Sequence, residues 1–207
     1  MALARMVAQQ LGRPAGLVGS LAAHIWNRRN AALNDVPLRS LSLNPDDRVL
    51  EIGFGGGYLL GQIASVVRQG LLAGVDISPK MVGFCERRYR SLVQEGRLEL
   101  KCASAEALPY PPAGFTKLCT VNSIFYWQSV PAAFAECSRV LAAGGTAVIC
   151  FTLRTSLEHR SFAQHIGLHE PQEVQQALAT AGFGDVQAVR ASDRHRDFMC
   201  LTARKRC

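Results

Sequence analysis

The stretch that decides the fold is residues 49–57, which read VLEIGFGGG. The apolar run at residues 48–52 predicts a buried strand, and the spacing of apolar residues over 58–69 predicts the helix that follows. The glycines between them let the backbone turn sharply and approach a ligand without a Cβ atom in the way. In α/β sheets such a loop lies at the carboxyl end of its strand, where ligands bind.

Beyond this unit, short apolar runs alternate with helical patterns along the chain. The further predicted strands are residues 71–75, 98–102, 117–121, 146–152, 185–190 and 197–202. The further predicted helices are residues 78–94, 131–141 and 171–181. Strict alternation predicts parallel pairing through right-handed crossovers, and hence a doubly wound α/β sheet with helices on both faces. Because no helix separates the last two strands, we expect them to be an antiparallel pair.

The composition indicates one domain, residues 1–207, with a Rossmann-like core at 46–207. Of the 207 residues, 48% are hydrophobic, which is sufficient for a full core, and no apolar run reaches the ~18 residues of a membrane span. The seven cysteines show no CxxC spacing, which predicts reduced thiols in a cytoplasmic protein and no metal site. The net charge of +7 comes from scattered basic residues without interleaved aromatics, which disfavours nucleic acid as a partner.

The register of the glycines distinguishes between two kinds of ligand. A dinucleotide fingerprint, GxGxxG, would require glycine at the positions of Tyr58 or Leu60. The pattern that remains is ExGxGxG, which begins at Glu51 and ends at Gly57. A dinucleotide is thereby disfavoured.

The ExGxGxG pattern resembles motif I of the class I S-adenosylmethionine-dependent methyltransferases, and in particular their small-molecule branch, methyltransferase type 11, related to quinone-biosynthesis enzymes. Residues 103–110, 118–123 and 139–145 resemble the adenine-flanking loop, the fourth strand and the turn before the fifth strand of that branch, in the same order. The resemblance implies S-adenosylmethionine as cofactor and in-line transfer of its methyl group to a small-molecule acceptor.

The resemblance also implies which residues bind the cofactor. Glu51 would supply negative charge near the cationic sulfonium and ammonium groups, and Asp76 would accept hydrogen bonds from both ribose hydroxyls. Ser104 stands where the family usually carries aspartate. A serine hydroxyl can still accept a hydrogen bond from the adenine amino group, but it lacks the negative charge of aspartate. The full implied set is Glu51, Gly53, Gly55, Gly57, Asp76, Ile77, Ser104, Ala105, Glu106 and Asn122.

Acceptor-facing residues are expected after the fourth strand, where Asn122 and Tyr126 fall. Tyr126 either faces the acceptor or simply packs its loop. Residues 1–45 resemble the family's helical lid over the cofactor and contain a candidate base, His24; their basic, acid-free start is also typical of a transit peptide. Three histidines after the fifth strand are further acceptor-side candidates: His159, His165 and His169.

Three alternative functions stay open. Nucleic-acid methyltransferases directed at amino groups carry [DNS]PP[YFW] after the fourth strand, whereas residues 122–125 read NSIF, without the prolines. A protein methyltransferase is consistent with the same cofactor motifs. A cofactor-binding scaffold without turnover is the third, because Ser104 and Thr116 depart from the family's pattern.

Overall fold

A seven-stranded sheet organises the part of the chain that the computed structural model describes, residues 31–207, with side chains from residue 34 onward. Its strands are β1 (Arg48–Ile52), β2 (Leu71–Asp76), β3 (Leu98–Cys102), β4 (Phe115–Val121), β5 (Leu141–Thr152), β6 (Phe183–Ser192) and β7 (Asp197–Lys205). Their order is β3-β2-β1-β4-β5-β7-β6, with β1 to β5 parallel and β7 antiparallel to both neighbours. The predicted doubly wound, mostly parallel sheet with an antiparallel final pair is confirmed.

Helices cover both faces of this sheet, as predicted. They are α1 (Ala31–Leu41), α2 (Tyr58–Val66), α3 (Pro79–Arg88), α4 (Arg90–Gln94), α5 (Val130–Val140), α6 (Arg154–Leu157) and α7 (Pro171–Thr180). One apolar cluster, which includes Leu60 and Val148, joins α1, α2 and α3 to one face; the other, which includes Phe134 and Leu178, joins α5 and α7 to the opposite face. Strands whose side chains alternate between two covered faces are buried on both. In the described part of the chain, no helix is long and apolar enough to cross a membrane.

The strand order creates a switch point between β1 and β4. From β1 the chain moves outward to β2 and β3, and it then returns to β4 on the other side of β1. The loops after β1 and β4 diverge at this point, which leaves a crevice at the carboxyl ends of the strands. The predicted site residues Glu51, Asp76 and Asn122 all lie at this edge of the sheet.

Only the last part of the predicted N-terminal lid falls within the described residues. Helix α1 lies against β4, β5 and β7, and Leu41 at its end is fully buried on that face of the sheet. Residues 1–30, which include the candidate base His24, lie outside the described residues. The assignment of residues 1–45 as a lid stays a prediction.

Two differences from the predicted elements go beyond shifts of one to three residues at an element's end. The predicted helix 78–94 is divided into α3 and α4, because the backbone of Tyr89 leaves the helical conformation, with φ −113° and ψ 32°. Strand β5 begins at Leu141 rather than at residue 146, because Leu141 pairs with Phe115 ahead of a register shift in β4. The earlier start of β5 arises from pairing between parts of the chain that are distant in sequence.

The core that supports the crevice can be tested at Phe134. Its ring is fully buried and packs edge-on against Trp127, with 5.4 Å between the ring centroids. Phe134→Ala leaves a cavity, so we expect the free energy of unfolding, measured in urea, to fall by about 3–5 kcal/mol. Val189→Ala, at a residue that is 48% exposed, should change it by less than about 0.5 kcal/mol. Equal losses in the two variants would contradict this packing.

Candidate active site

Glu51 is a buried carboxyl group near the carboxyl end of β1. The residue is 3% exposed, and its Oε2 atom has no hydrogen-bond partner among the described residues. Burial raises the pKa of Glu51 to about 8; the neighbouring Asp76 acts in the same direction, and a hydrogen bond from the backbone of Leu60 acts against it. Ionising a buried carboxyl group is costly when one of its oxygens lacks a hydrogen-bond partner, and a cationic group bound beside it would offset that cost.

Asp76 joins the end of β2 to the glycine loop. Its Oδ2 atom accepts a hydrogen bond from Gly55 N at 2.8 Å, and its Oδ1 atom accepts one from Ser78 N at 2.9 Å. Burial raises the pKa of Asp76, while these two hydrogen bonds lower it. Each carboxylate oxygen can accept a second hydrogen bond, so Asp76 retains capacity for ligand hydroxyls. The half-buried Ile77 follows directly.

The glycine loop after β1 uses backbone conformations that favour glycine. Gly53, Gly55 and Gly57 have φ angles of 74°, 50° and 73°. A Cβ atom at Gly53 would overlap the side chain of Ser123, and one at Gly57 would lie 2.8 Å from Cys85 Sγ. A Cβ atom at Gly55 would meet no described atom within 4 Å. The loop is packed at both ends and open in the middle.

The loop at residues 103–108 continues the same edge of the sheet after β3. Ala105 is buried and Ser104 is half-buried. The Glu106 Oε1 atom accepts hydrogen bonds from Gln128 N at 2.7 Å and from Ser129 N at 3.2 Å. Glu106 thus anchors the backbone that leads into α5, and its predicted contact with the cofactor stays a prediction.

Asn122 joins the carboxyl ends of β4 and β5. Its backbone N–H donates to Cys150 O at 2.8 Å, and its Oδ1 atom accepts a hydrogen bond from Thr152 N at 2.8 Å. Its φ of 57° lies in the left-handed region, which asparagine adopts more readily than most residues. The next residue, Ser123, packs against Gly53. The structure therefore brings the neighbour of Asn122 against the glycine loop, and the contact of Asn122 itself with the cofactor stays a prediction.

Tyr126 ends a turn of 3-10 helix, Ile124–Tyr126, just after β4. It is half-buried and packs against the apolar cluster of α5 and α7. Burial raises the pKa of its phenol, so the hydroxyl remains protonated at neutral pH. Tyr126 can donate a hydrogen bond to an acceptor, but it does not serve as a base.

His169 is the candidate histidine that the structure places against this turn. Its ring lies beside the backbone of Ile124, and the nearby Gly167 N donates to Phe125 O at 2.9 Å. Burial lowers the pKa of His169, which favours the neutral ring. The side chain of His159, in contrast, is 86% exposed.

A charged pair on α5 supports the 103–108 loop. Glu136 Oε2 accepts a hydrogen bond from Leu108 N at 2.8 Å, while Arg139 donates to Leu108 O at 2.9 Å and to Tyr110 O at 2.7 Å. The two side chains also form an ion pair at 2.6 Å. Sequence reasoning missed this support, because a Glu-x-x-Arg pair on a helix usually indicates no more than a surface ion pair.

Comparisons with known proteins agree with this geometry. A family model described as a methyltransferase domain matches residues 50–149. The uncharacterized methyltransferase YdaC of Bacillus subtilis is 26% identical over 185 residues, covering 89% of this chain and 98% of YdaC. The fatty-acid O-methyltransferase of Mycolicibacterium smegmatis is 31% identical over 98 residues, which cover 47% of this chain and 34% of that enzyme. The aligned part is therefore about a third of the fatty-acid enzyme's length.

Among solved structures, geranyl diphosphate C-methyltransferase from Streptomyces coelicolor, in complex with Mg²⁺, geranyl diphosphate and S-adenosyl-L-homocysteine, superposes with a TM-score of 0.74. The two chains are 16% identical, and the match covers 94% of this chain and 86% of that one, which shows a shared fold. Fold and site together define a Rossmann-like methyltransferase of class I. The chain is an S-adenosylmethionine-dependent methyltransferase, and the unpartnered oxygen of Glu51 and the open space at Gly55 fit that cationic cofactor.

Gly55→Val tests the open side of the glycine loop. The valine side chain would enter the space beside Asp76 and strain a left-handed backbone, so cofactor binding measured by calorimetry should weaken at least about tenfold. Gly96→Val is the matched control, because Gly96 has φ 69° and an equally open Cβ position but precedes β3, at the opposite edge of the sheet. Unchanged affinity in Gly55→Val, or equal losses in both variants, would contradict the placement of the cofactor.

Glu51 should make cofactor binding depend on pH. With a pKa of about 8, the free carboxyl is largely protonated below that pH and must ionise to pair with a cation. Between about pH 6 and 8, wild-type affinity should therefore rise relative to Glu51→Gln, by up to about tenfold per pH unit. The Glu51→Gln variant is the control for titration of the cofactor itself, and parallel calorimetric pH profiles would refute the role of Glu51.

The same carboxyl links stability to pH in the absence of ligand. Because the pKa of Glu51 is raised from 4.5 to about 8 on folding, the folded state binds more protons between these values. Its contribution to stability is present at low pH and is lost as the pH rises toward about 8.

Proposed function

We propose that this methyltransferase transfers the methyl group to a small-molecule acceptor held beside the end of β4. The observation that carries the proposal is that the segment after β5, residues 153–170, packs against the turn at Ile124–Tyr126. Gly167 N donates a hydrogen bond to Phe125 O, and His169 lies beside the same turn. A site bounded by the chain's own segment suits a small acceptor better than an extended macromolecular surface. The relatives named for fatty acid and for geranyl diphosphate support the same class of acceptor.

Further contacts hold this segment in place. Arg154 Nη2 donates to Leu168 O at 3.1 Å, and its Nε atom pairs with Glu170 Oε1 at 2.7 Å. Ser156 Oγ accepts a hydrogen bond from Asp197 N at 2.9 Å. The segment is thereby fixed to α7 on one side and to the start of β7 on the other. These contacts support an acceptor space that is bounded on one side by this fixed segment of the same chain.

The chemistry requires the protein mainly to align the reactants. When bound, S-adenosylmethionine supplies a methyl group on a positively charged sulfur that is already activated for in-line displacement. The chain's residues then need to bind, orient and exclude water. A neutral Tyr126 can orient an acceptor by donating a hydrogen bond, and a soft or already ionised acceptor requires no protein base. We therefore propose an acceptor of that chemical type.

The cofactor roles of individual residues are part of the proposal. Glu51 pairs with the cationic groups of the methionine portion, and Asp76 accepts hydrogen bonds from the ribose hydroxyls. Ile77 and Ser104, which are both half-buried at adjacent strand ends, flank the adenine ring. Asn122, held by its hydrogen bonds to β5, faces the transferred methyl group.

The N-terminal residues and the location of the enzyme belong to the same proposal. Residues 1–45 are proposed to form a lid over the cofactor, of which α1 lies against the sheet, while His24 belongs to the part outside the described residues. The seven cysteines all lie in the described part of the chain and form no disulfide with one another, which supports a cytoplasmic location, where disulfides rarely form.

A screen for S-adenosylhomocysteine formation tests the proposed function. Wild-type protein is incubated with S-adenosylmethionine and a panel of thiols, phenols, amines, carboxylic acids, halides and metalloid oxyanions. We expect turnover with at least one class of small molecule and at least about tenfold less in Asp76→Ala, which lacks the loop and ribose hydrogen bonds. Turnover only with protein or nucleic acid would overturn the proposal, and cofactor binding without any turnover would favour the scaffold alternative.

A further inference from the structure

Three side chains from the end of α3 hold the carbonyl groups of the glycine loop. Cys85 Sγ lies 3.4 Å from Gly55 O, Arg88 Nη1 lies 3.2 Å from Gly56 O, and Tyr89 Oη lies 2.6 Å from Gly57 O. The spacing of the three side chains places them on one side of the helix end. Three consecutive carbonyl groups of the cofactor loop therefore have donors from a single surface, which we name the loop clamp: Cys85, Arg88 and Tyr89.

Tyr89 makes the strongest contact of the loop clamp. A thiol is a weak donor, and Arg88 is exposed, so water competes for its hydrogen bond. Tyr89 is half-buried, and burial raises the pKa of its phenol, which keeps it a donor at neutral pH. The backbone of Tyr89 also interrupts the helix between α3 and α4, and this break accompanies the placement of its ring over the loop.

Helix α2 leaves room for the Tyr89 ring. A Cβ atom at Gly61 would lie 2.7 Å from Tyr89 Oη and 3.4 Å from its Cζ atom, and one at Gly57 would lie 3.0 Å from its Cε2 atom. Glycine inside a helix is unfavourable relative to alanine. Gly61 is explained by the Tyr89 hydroxyl, which occupies the space that a side chain at this residue would need.

We propose that Tyr89, with Cys85 and Arg88, is a positioning residue that presets the glycine loop for the cofactor. The loop clamp turns the carbonyl groups toward α3, while the Asp76 carboxylate holds Gly55 N from the other side. The loop is thereby ordered before the ligand arrives, and the cofactor does not bear that ordering cost. The inference concerns cofactor affinity and is independent of the identity of the acceptor.

Tyr89→Phe tests the loop clamp without removing the ring. Loss of the hydroxyl leaves Gly57 O with only the longer hydrogen bond from Gly61 N, at 3.2 Å, so the clamp no longer holds this carbonyl group from α3. We therefore expect the Kd for S-adenosylmethionine and S-adenosylhomocysteine, measured by calorimetry, to rise about five- to tenfold. Tyr110→Phe is the matched control, because the Tyr110 hydroxyl is buried without a hydrogen-bond partner among the described residues, and its affinity should match that of wild type. A Tyr89→Phe affinity within about twofold of wild type, or an equal loss in Tyr110→Phe, would overturn the proposal.

Gly61→Ala provides a readout that general destabilisation would not produce. In the wild-type background the new methyl group displaces the Tyr89 hydroxyl and should weaken cofactor binding about as much as Tyr89→Phe does. In the Tyr89→Phe background the hydroxyl is absent, and the nearest ring atom, Cζ, lies 3.4 Å from the new methyl group, which is an ordinary contact. Gly61→Ala should then change the affinity less than about twofold. Additive losses in the double variant would overturn the proposal. Because calorimetry needs no acceptor, this result is separate from that of the acceptor screen.

Discussion

The hydrogen bonds to the Asp76 carboxylate are the interaction on which the arrangement of the site depends. They hold the loop after β1 and the start of α3 at the same point, beyond the end of β2. Each buried backbone donor left without a partner would cost about 1–3 kcal/mol. Placing Asp76 there also puts a second carboxyl near Glu51, whose pKa it helps to raise. A cation is the kind of ligand that this concentration of buried carboxyl groups favours.

Most of the fold could be predicted from the sequence because its strands are short apolar runs between turn residues. β1 and β3 occupy the predicted residues 48–52 and 98–102. The break at Tyr89 could not be predicted, because it accompanies a hydrogen bond to Gly57, 32 residues earlier, that no local pattern indicates. The early start of β5 likewise depends on pairing with β4.

The same distinction applies to the site. Glu51, Asp76 and the glycines could be located because strand ends and glycine spacing are local features of the sequence. Glu106 was predicted to contact the cofactor, yet its carboxylate holds backbone N–H groups 22 and 23 residues away. The loop clamp carried no sequence signal, because a cysteine, an arginine and a tyrosine at a helix end have no characteristic pattern. Residues that act through distant backbone atoms become visible only in the folded chain.

The central claim is that the cofactor lies between the glycine loop and the ends of β2 and β3. The most direct test is a crystal structure of the chain with S-adenosylhomocysteine. The account predicts ribose hydroxyls within hydrogen-bonding distance of Asp76, the amino group of the ligand beside Glu51, and the ligand against Gly55. A ligand bound elsewhere, or one whose ribose does not contact Asp76, would contradict it.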